Sequence, residues 1–102
     1  MIIRILPEAE SDLQIGADFY ESQQRGLGRY FNDCLSSDIE SLRLYGGIHG
    51  RVHGLFRCLS KRFPFAIFYE LDGETVDIYA VLDCRQDPDA IKARLESNRA
   101  QR

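Results

Sequence analysis

The cations and aromatic acids of this chain have the widest chemical reach. Arg57, Lys61 and Arg62 fall in one short stretch, and Arg85 stands alone among acids in Asp83-Cys84-Arg85-Gln86-Asp87. Guanidinium forks bond carboxylates and phosphates through two parallel hydrogen bonds, so such a set suits recognition of an anionic partner. Each arginine has a plainer alternative, a structural ion pair, for instance with Asp83 or Asp87. Cutting RNA without a metal needs more: a base for the 2′-hydroxyl and an acid for the leaving oxygen. His49, His53, Tyr69 and Tyr79 are the side chains available for those roles. Tyr69 belongs to an apolar alternation and reads as core. Tyr79 falls opposite Val76 and Ile78, so Tyr79 with Arg85 is the alternative catalytic pair. No residue earns a firm catalytic assignment from this pattern.

A metal or cofactor is not expected. His49 and His53 have a spacing that brings two imidazoles to one ion only on a helix. They lie in Gly46-Gly47-Ile48-His49-Gly50-Arg51-Val52-His53-Gly54, whose four glycines predict a loop. That loop has no GxxxxGK signature for phosphates. Cys34, Cys58 and Cys84 are widely spaced, form no CxxC pair, and read as small buried or half-buried thiols.

The chain has 102 residues, 44% hydrophobic and 28% charged, which predicts one domain over 1–102 with its own core. No apolar run approaches the roughly 20 residues of a membrane helix. The start, MIIRILPEAE, lacks the pattern of a signal peptide. A cytoplasmic protein with no membrane partner is expected. Net charge is -3, which argues against holding nucleic acid over the whole surface. The charge is laid out in blocks. Residues 1–46 carry four basic and eight acidic side chains, 47–69 four basic and no acids, 70–89 one basic and seven acidic. The acid-free block is a candidate surface for an anionic partner.

The elements that must position these residues follow from periodicity. Ile2-Ile3-Arg4-Ile5-Leu6 predicts a strand ended by Pro7, and Pro7-Glu8 opens a helix to about Gln24. Ala9, Leu13, Ala17 and Tyr20 form its apolar stripe, with Ile15 and Phe19 off it. Two glycines break the chain at residues 26 and 28. A second helix is predicted over Arg29–Leu44, lined by Phe31, Leu35, Ile39 and Leu42, giving an αα-hairpin. A meander follows: Leu55–Leu59, Phe65–Leu71 and Val76–Leu82, the last two joined at Asp72-Gly73-Glu74. Val76, Ile78, Ala80 and Leu82 are expected to face the helices. Pro88–Arg102 predicts a short helix that frays after Ser97. The class is therefore α+β, β-α-α-β-β-β with a helical hairpin on an antiparallel sheet and a short terminal helix. The hairpin carries Phe19, Tyr20, Tyr30 and Phe31, more aromatic surface than one sheet face needs. Phe19 and Tyr30 are the two expected at the surface.

Several segments in this order resemble the RelE/ParE toxin superfamily, and its ParE branch most. They are the opening strand-Pro7-Glu8-Ala9 with Asp12-Leu13, then Arg62-Phe63-Pro64-Phe65-Ala66-Ile67-Phe68-Tyr69, then Ala80-Val81-Leu82-Asp83-Cys84-Arg85-Gln86-Asp87-Pro88. The resemblance runs from Ile3 to Pro88. It implies a small cytoplasmic bacterial toxin of a type II, plasmid-stabilisation-type module, neutralised by a cognate antitoxin. ParE-like members act on DNA gyrase. RelE-like relatives are ribosome-dependent mRNA endonucleases that use clustered cations and commonly a tyrosine near the C-terminus. Here no tyrosine follows Arg85. The family usually has histidine where Asp83 stands and arginine where Gln86 stands, so this chain is less basic around Arg85. The resemblance further implies Arg57, Lys61, Arg62, Arg85, Phe19 and Tyr30 as contacts for target or antitoxin. A homodimer and a toxin–antitoxin heterotetramer both fit, as does a degenerate toxin that only binds antitoxin.

Overall fold

The computed structural model describes residues 1–101. Its elements are β1 (Ile2–Ile5), α1 (Pro7–Gln23), α2 (Leu27–Glu40), α3 (Leu42–Tyr45), β2 (Arg51–Val52), β3 (Leu55–Leu59), β4 (Phe65–Asp72), β5 (Thr75–Asp83) and α4 (Pro88–Ala100). One sheet holds all five strands in the order β1-β5-β4-β3-β2. β2 to β5 pair antiparallel, as the meander predicts. β1 departs from the expected antiparallel sheet: it runs parallel to β5, so the sheet is mixed. The helical connection leaves β1 beside the last strand, where Ile3 and Ile5 align with Val76 and Ile78 on the helix-covered face.

The helical hairpin closes tightly because its contact residues are small. Gly16 is buried in α1, and a Cβ there would lie 2.5 Å from the Phe31 ring. Gly28 of α2 meets the Ala17 carbonyl in the same way. Gly26 takes φ 87°, the left-handed conformation that favours glycine, at the start of α2. It brings no capping side chain. The Glu21 carboxylate accepts the N–H groups of Gly26 (3.1 Å) and Gly28 (3.0 Å) instead, satisfying donors that a helix start leaves open. The second helix is shorter than expected. α2 stops at Glu40 and α3 resumes at Leu42, with the Ser41 hydroxyl donating to the Asp38 carbonyl at 2.6 Å. Such local bonds compete with the helical ladder.

The β4–β5 hairpin is present, with Asp72 opposite Thr75 and Gly73 at φ 61° in the turn. Its alternation breaks at Tyr79. Tyr69 pairs with Ile78 and Phe68 with Ala80, so Tyr79 is an extra residue in β5. One inserted residue reverses which side chains face which layer. Val76, Ile78 and Val81 therefore join Phe31, Leu35 and Ile39 under the helical hairpin. Ala80 and Leu82, expected on that face, lie on the other with Leu55, Ala66, Phe68 and Leu95.

That second face is covered by α4, which does not fray after Ser97. Its Asn98 is buried and donates Nδ2–H to the Tyr79 carbonyl at 2.8 Å. Arg94 donates to Asn98 Oδ1 at 3.0 Å and to the buried Asp12 carboxylate at 2.7 Å. Asp12 also accepts the Val81 N–H at 3.0 Å. The bulge frees backbone groups, and this network from α1 and α4 takes them up. Burial pushes the Asp12 carboxyl up, opposed by the Val81 and Arg94 hydrogen bonds. Among the described residues, no helix is long and apolar enough to cross a membrane.

Candidate functional site

The predicted contact residues fall into two groups. The first gathers near the turn that joins α1 to α2, around Tyr20 and Phe63. Tyr20 stacks on Phe31 and meets Phe63 edge-on at 4.8 Å. Phe19 lies edge-on to Tyr20 and is 52% exposed. Tyr30 tilts on Phe63 at 5.7 Å and is 45% exposed. Both of these aromatics lie at the surface, as expected. Arg62 is exposed beside Phe63 and lines a shallow hollow with Asp33 and Cys34.

Arg85 feels the Tyr20 hydroxyl only weakly. Asp83 holds it far more firmly. Arg85 donates Nε–H to Asp83 Oδ1 at 3.0 Å and Nη2–H to Oδ2 at 2.7 Å. The bonds to Asp83 and its charge raise the Arg85 pKa, and the same bonds hold the Asp83 carboxyl below the usual carboxylate range. The plainer alternative for Arg85, a structural ion pair, is realised here.

The second group lies along the outer edge of β3. Arg57 and Lys61 are exposed and line a groove of about 540 Å³ with Tyr45, Ile48, His49 and Leu59. Among the described residues, neither cation has a side-chain hydrogen bond or ion pair. The fourth cation of the acid-free block, Arg51, is tied to Glu70 at 3.0 Å and lies over the Phe56 ring.

Tyr79 joins neither group. It is half-buried against the apolar face under α4, where an exposed sheet position was expected. It keeps the expected face, opposite Val76 and Ile78, and α4 covers that face. Four residues of extended chain, about 13 Å at the usual rise, separate it from Asp83, the residue that grips Arg85. The two alternative catalytic residues are not brought together.

Sequence reasoning missed two features. One is the Asp12–Arg94–Asn98 network, in which Asp12 and Arg94 lie 82 residues apart. The other is His49. The glycine-rich loop is anchored, because the Tyr69 hydroxyl accepts the Gly47 N–H at 2.9 Å and bonds His49 Nδ1 at 2.5 Å. Tyr69 is core, as expected, but its hydroxyl serves that loop. No local signal marks either pairing. Among the described residues, no group of three or more His, Cys, Asp or Glu side chains is placed to hold a metal ion. All three cysteines are free. Burial pushes the Cys58 and Cys84 thiols up, away from the reactive thiolate.

This arrangement is an α+β fold: an N-terminal strand, a helical hairpin, a largely antiparallel sheet and a terminal helix. The chain is similar to a chain of the chromosomal ParDE TA system from P. aeruginosa, with a TM-score of 0.69 and 20% sequence identity. The likeness covers 79% of this chain and 92% of that one. At that identity it is a statement about fold, and it agrees with the fold that the sequence motifs resemble. No protein-family profile and no curated protein matches the sequence.

Proposed function

We propose that this chain is a single-domain toxin of a type II toxin–antitoxin module, held in check in the cytoplasm by a cognate antitoxin protein. It acts by binding and inhibiting DNA gyrase, not as an enzyme. The observation that carries this is the fold likeness to a chain of a ParDE TA system over 92% of that chain's length. The exposed Phe19 and Tyr30, with Arg57, Lys61 and Arg62, support it further, since aromatic and arginine side chains dominate the energetics of protein contacts. Purified protein in a gyrase supercoiling assay tests the target. Inhibition at micromolar concentration is expected, and none in that range ends the gyrase claim. Antitoxin binding is tested separately, by looking for a short gene next to this one and co-purifying its product with the chain. The mass of that complex distinguishes a toxin pair from a heterotetramer.

A second reading has one observation in its favour. Asp83 offsets the charge of Arg85, which suits a degenerate toxin that retains only antitoxin binding. Expression without antitoxin would then leave growth normal. The endoribonuclease alternative, with Tyr79 and Arg85 acting on ribosome-bound mRNA, draws less support from the separation of those two residues. It predicts codon-positioned cuts lost in Tyr79→Phe and in Arg85→Ala.

A further inference from the structure

α4 is fastened to the sheet at one end. Its two buried residues, Leu95 and Asn98, lie in its second half. Its first turn, Pro88 to Ala90, is exposed. Ala66, opposite Leu82 in the β4–β5 ladder, adds only a methyl group to the face beneath. A cavity of about 160 Å³ remains between helix and sheet. Ala66, Phe68 and Leu82 form its floor, Ile91 of α4 its roof, and the exposed Arg57 and Cys84 its mouth. That volume is close to the roughly 150 Å³ of apolar cavities that take up a benzene ring. It falls well short of the roughly 300 Å³ at which drug-sized sites begin.

The mouth carries one uncompensated charge. Arg57 pairs with Phe68 in the β3–β4 ladder. Residues directly opposite each other project from the same face of a sheet, so Arg57 shares the α4 face with Phe68. Burial pushes the Cys84 thiol up, and the Arg57 charge draws it the other way, which places the guanidinium near that thiol. A thiol raised by burial stays neutral and offers Arg57 no anion. Among the described residues, no Asp or Glu lines the cavity, and the Arg57 side chain has no hydrogen bond or ion pair. The acids that flank Cys84 in sequence are engaged elsewhere. Asp83 holds Arg85, and Asp87 accepts the Asp89 N–H at 3.0 Å.

We propose that this cavity binds a small monocarboxylate with a short apolar tail, of the size of benzoate or hexanoate. The tail lies on Ala66, Phe68 and Leu82 under Ile91. The carboxylate accepts two parallel N–H bonds from Arg57 at the mouth. A nucleotide exceeds the volume, and a neutral hydrocarbon leaves the cation unused. A bound acid fills the gap beneath the first turn of α4 and so couples that turn to the sheet. A ligand that binds only the folded chain raises its stability by mass action. The site uses neither Arg85 nor Asp83, and it stands or falls independently of the gyrase reading.

Titration of the 15N-labelled full chain with benzoate, followed in 1H–15N spectra, tests it. Saturable shifts at Ala66, Leu82 and Ile91 are expected, with a Kd of about 0.1–1 mM, ordinary for so small a ligand. Hexanoate should compete. Arg57→Gln keeps a polar side chain at the exposed mouth without the charge and should weaken binding about tenfold, the loss of one charge-assisted contact. Benzyl alcohol, which has the ring but no charge, should bind more weakly than benzoate by a similar factor. Arg25→Gln, in the turn between α1 and α2, leaves binding unchanged. Benzoate should raise the melting temperature of the wild-type chain and have little effect on that of Arg57→Gln. The melting temperatures without ligand show that both variants are folded. No saturable shifts up to about 10 mM benzoate, equal affinity for benzyl alcohol, or unaltered affinity in Arg57→Gln overturns the site. Displacement of benzoate by a short oligouridine in the same spectra also overturns it, by making Arg57 a phosphate contact.

Discussion

Asp83 grips Arg85 across a single intervening residue. Two side-chain bonds of 3.0 and 2.7 Å close the ion pair, and the Arg85 backbone N–H adds a third to Oδ1 at 2.8 Å. An acid therefore occupies the donors that the proposed function would turn toward a partner. The family that the sequence resembles usually has histidine where Asp83 stands.

Asp83→Asn keeps an oxygen for the Arg85 N–H and removes the charge. The variant should be the stronger inhibitor of gyrase supercoiling, and Arg85→Ala the weaker, relative to the wild-type chain. Half-maximal concentrations from the same assay give the order. Equal potency of all three proteins would remove Arg85 from the contact surface.

The pH dependence of stability should carry the signature of depressed carboxyls. Arg51 lowers Glu70, and Arg85 lowers Asp83, from ordinary values of 4.5 and 3.8. A carboxyl depressed in the folded state contributes stability above its unfolded pKa and loses it as pH falls through the folded one. Asp12 has the opposite sign: burial raises it, so its ionisation subtracts stability as pH rises through 3.8 toward the folded value. Urea unfolding of a Glu70→Gln, Asp83→Asn double variant checks this. Its deficit against wild type should be present at pH 7 and vanish below the folded values.

Asp12→Ala leaves the Val81 N–H and the Arg94 guanidinium without their acceptor in a largely dry site. Removing one member of such a pair costs about 3 kcal/mol, and α4 should loosen with it. Urea titration measures the loss, and hydrogen exchange should locate the added opening in α4 and the end of β5. Protection unchanged in α4 would show that Leu95, Ile91 and the Asn98–Tyr79 bond hold the helix without Asp12.

Gly16→Ala tests the close approach of α1 and α2. Alanine gains up to about 1 kcal/mol in helix propensity. The new methyl meets Phe31 at 2.5 Å, and overpacking of this kind costs about 1–3 kcal/mol. A net loss of about 1 kcal/mol is expected, read as a lower melting temperature. Gly50→Ala, where nothing lies within 4 Å, serves as the neutral control.

The elements of this protein were legible from short-range pattern. Apolar spacing marked the helical hairpin, the β4–β5 hairpin and the buried Tyr69, and a surplus of aromatic side chains on the helical hairpin left Phe19 and Tyr30 outside. These depend on periodicity over a few residues, which neighbouring side chains enforce. The reversal of faces at Tyr79 left no such trace. A bulge is a choice of register between strands, and Val76 through Leu82 alternate acceptably without one. α4 looked weak for a related reason: its anchors are one leucine and two polar residues, and their partners lie on α1 and β5.

The sequence by itself determined the fold class, the order of elements and the acid-free block that holds Arg57, Lys61 and Arg62. Only the tertiary structure decided which charges remain available. It tied Arg51 to Glu70 and Arg85 to Asp83, left the Arg57 and Lys61 side chains without a hydrogen bond or ion pair among the described residues, and set His49 against Tyr69. The difference is physical. Local propensity acts along the chain. The balance of charge at a site depends on groups brought within about 3 Å by packing, and those groups lie about 20 residues apart for Arg51–Glu70 and His49–Tyr69 and more than 80 apart for Asp12–Arg94.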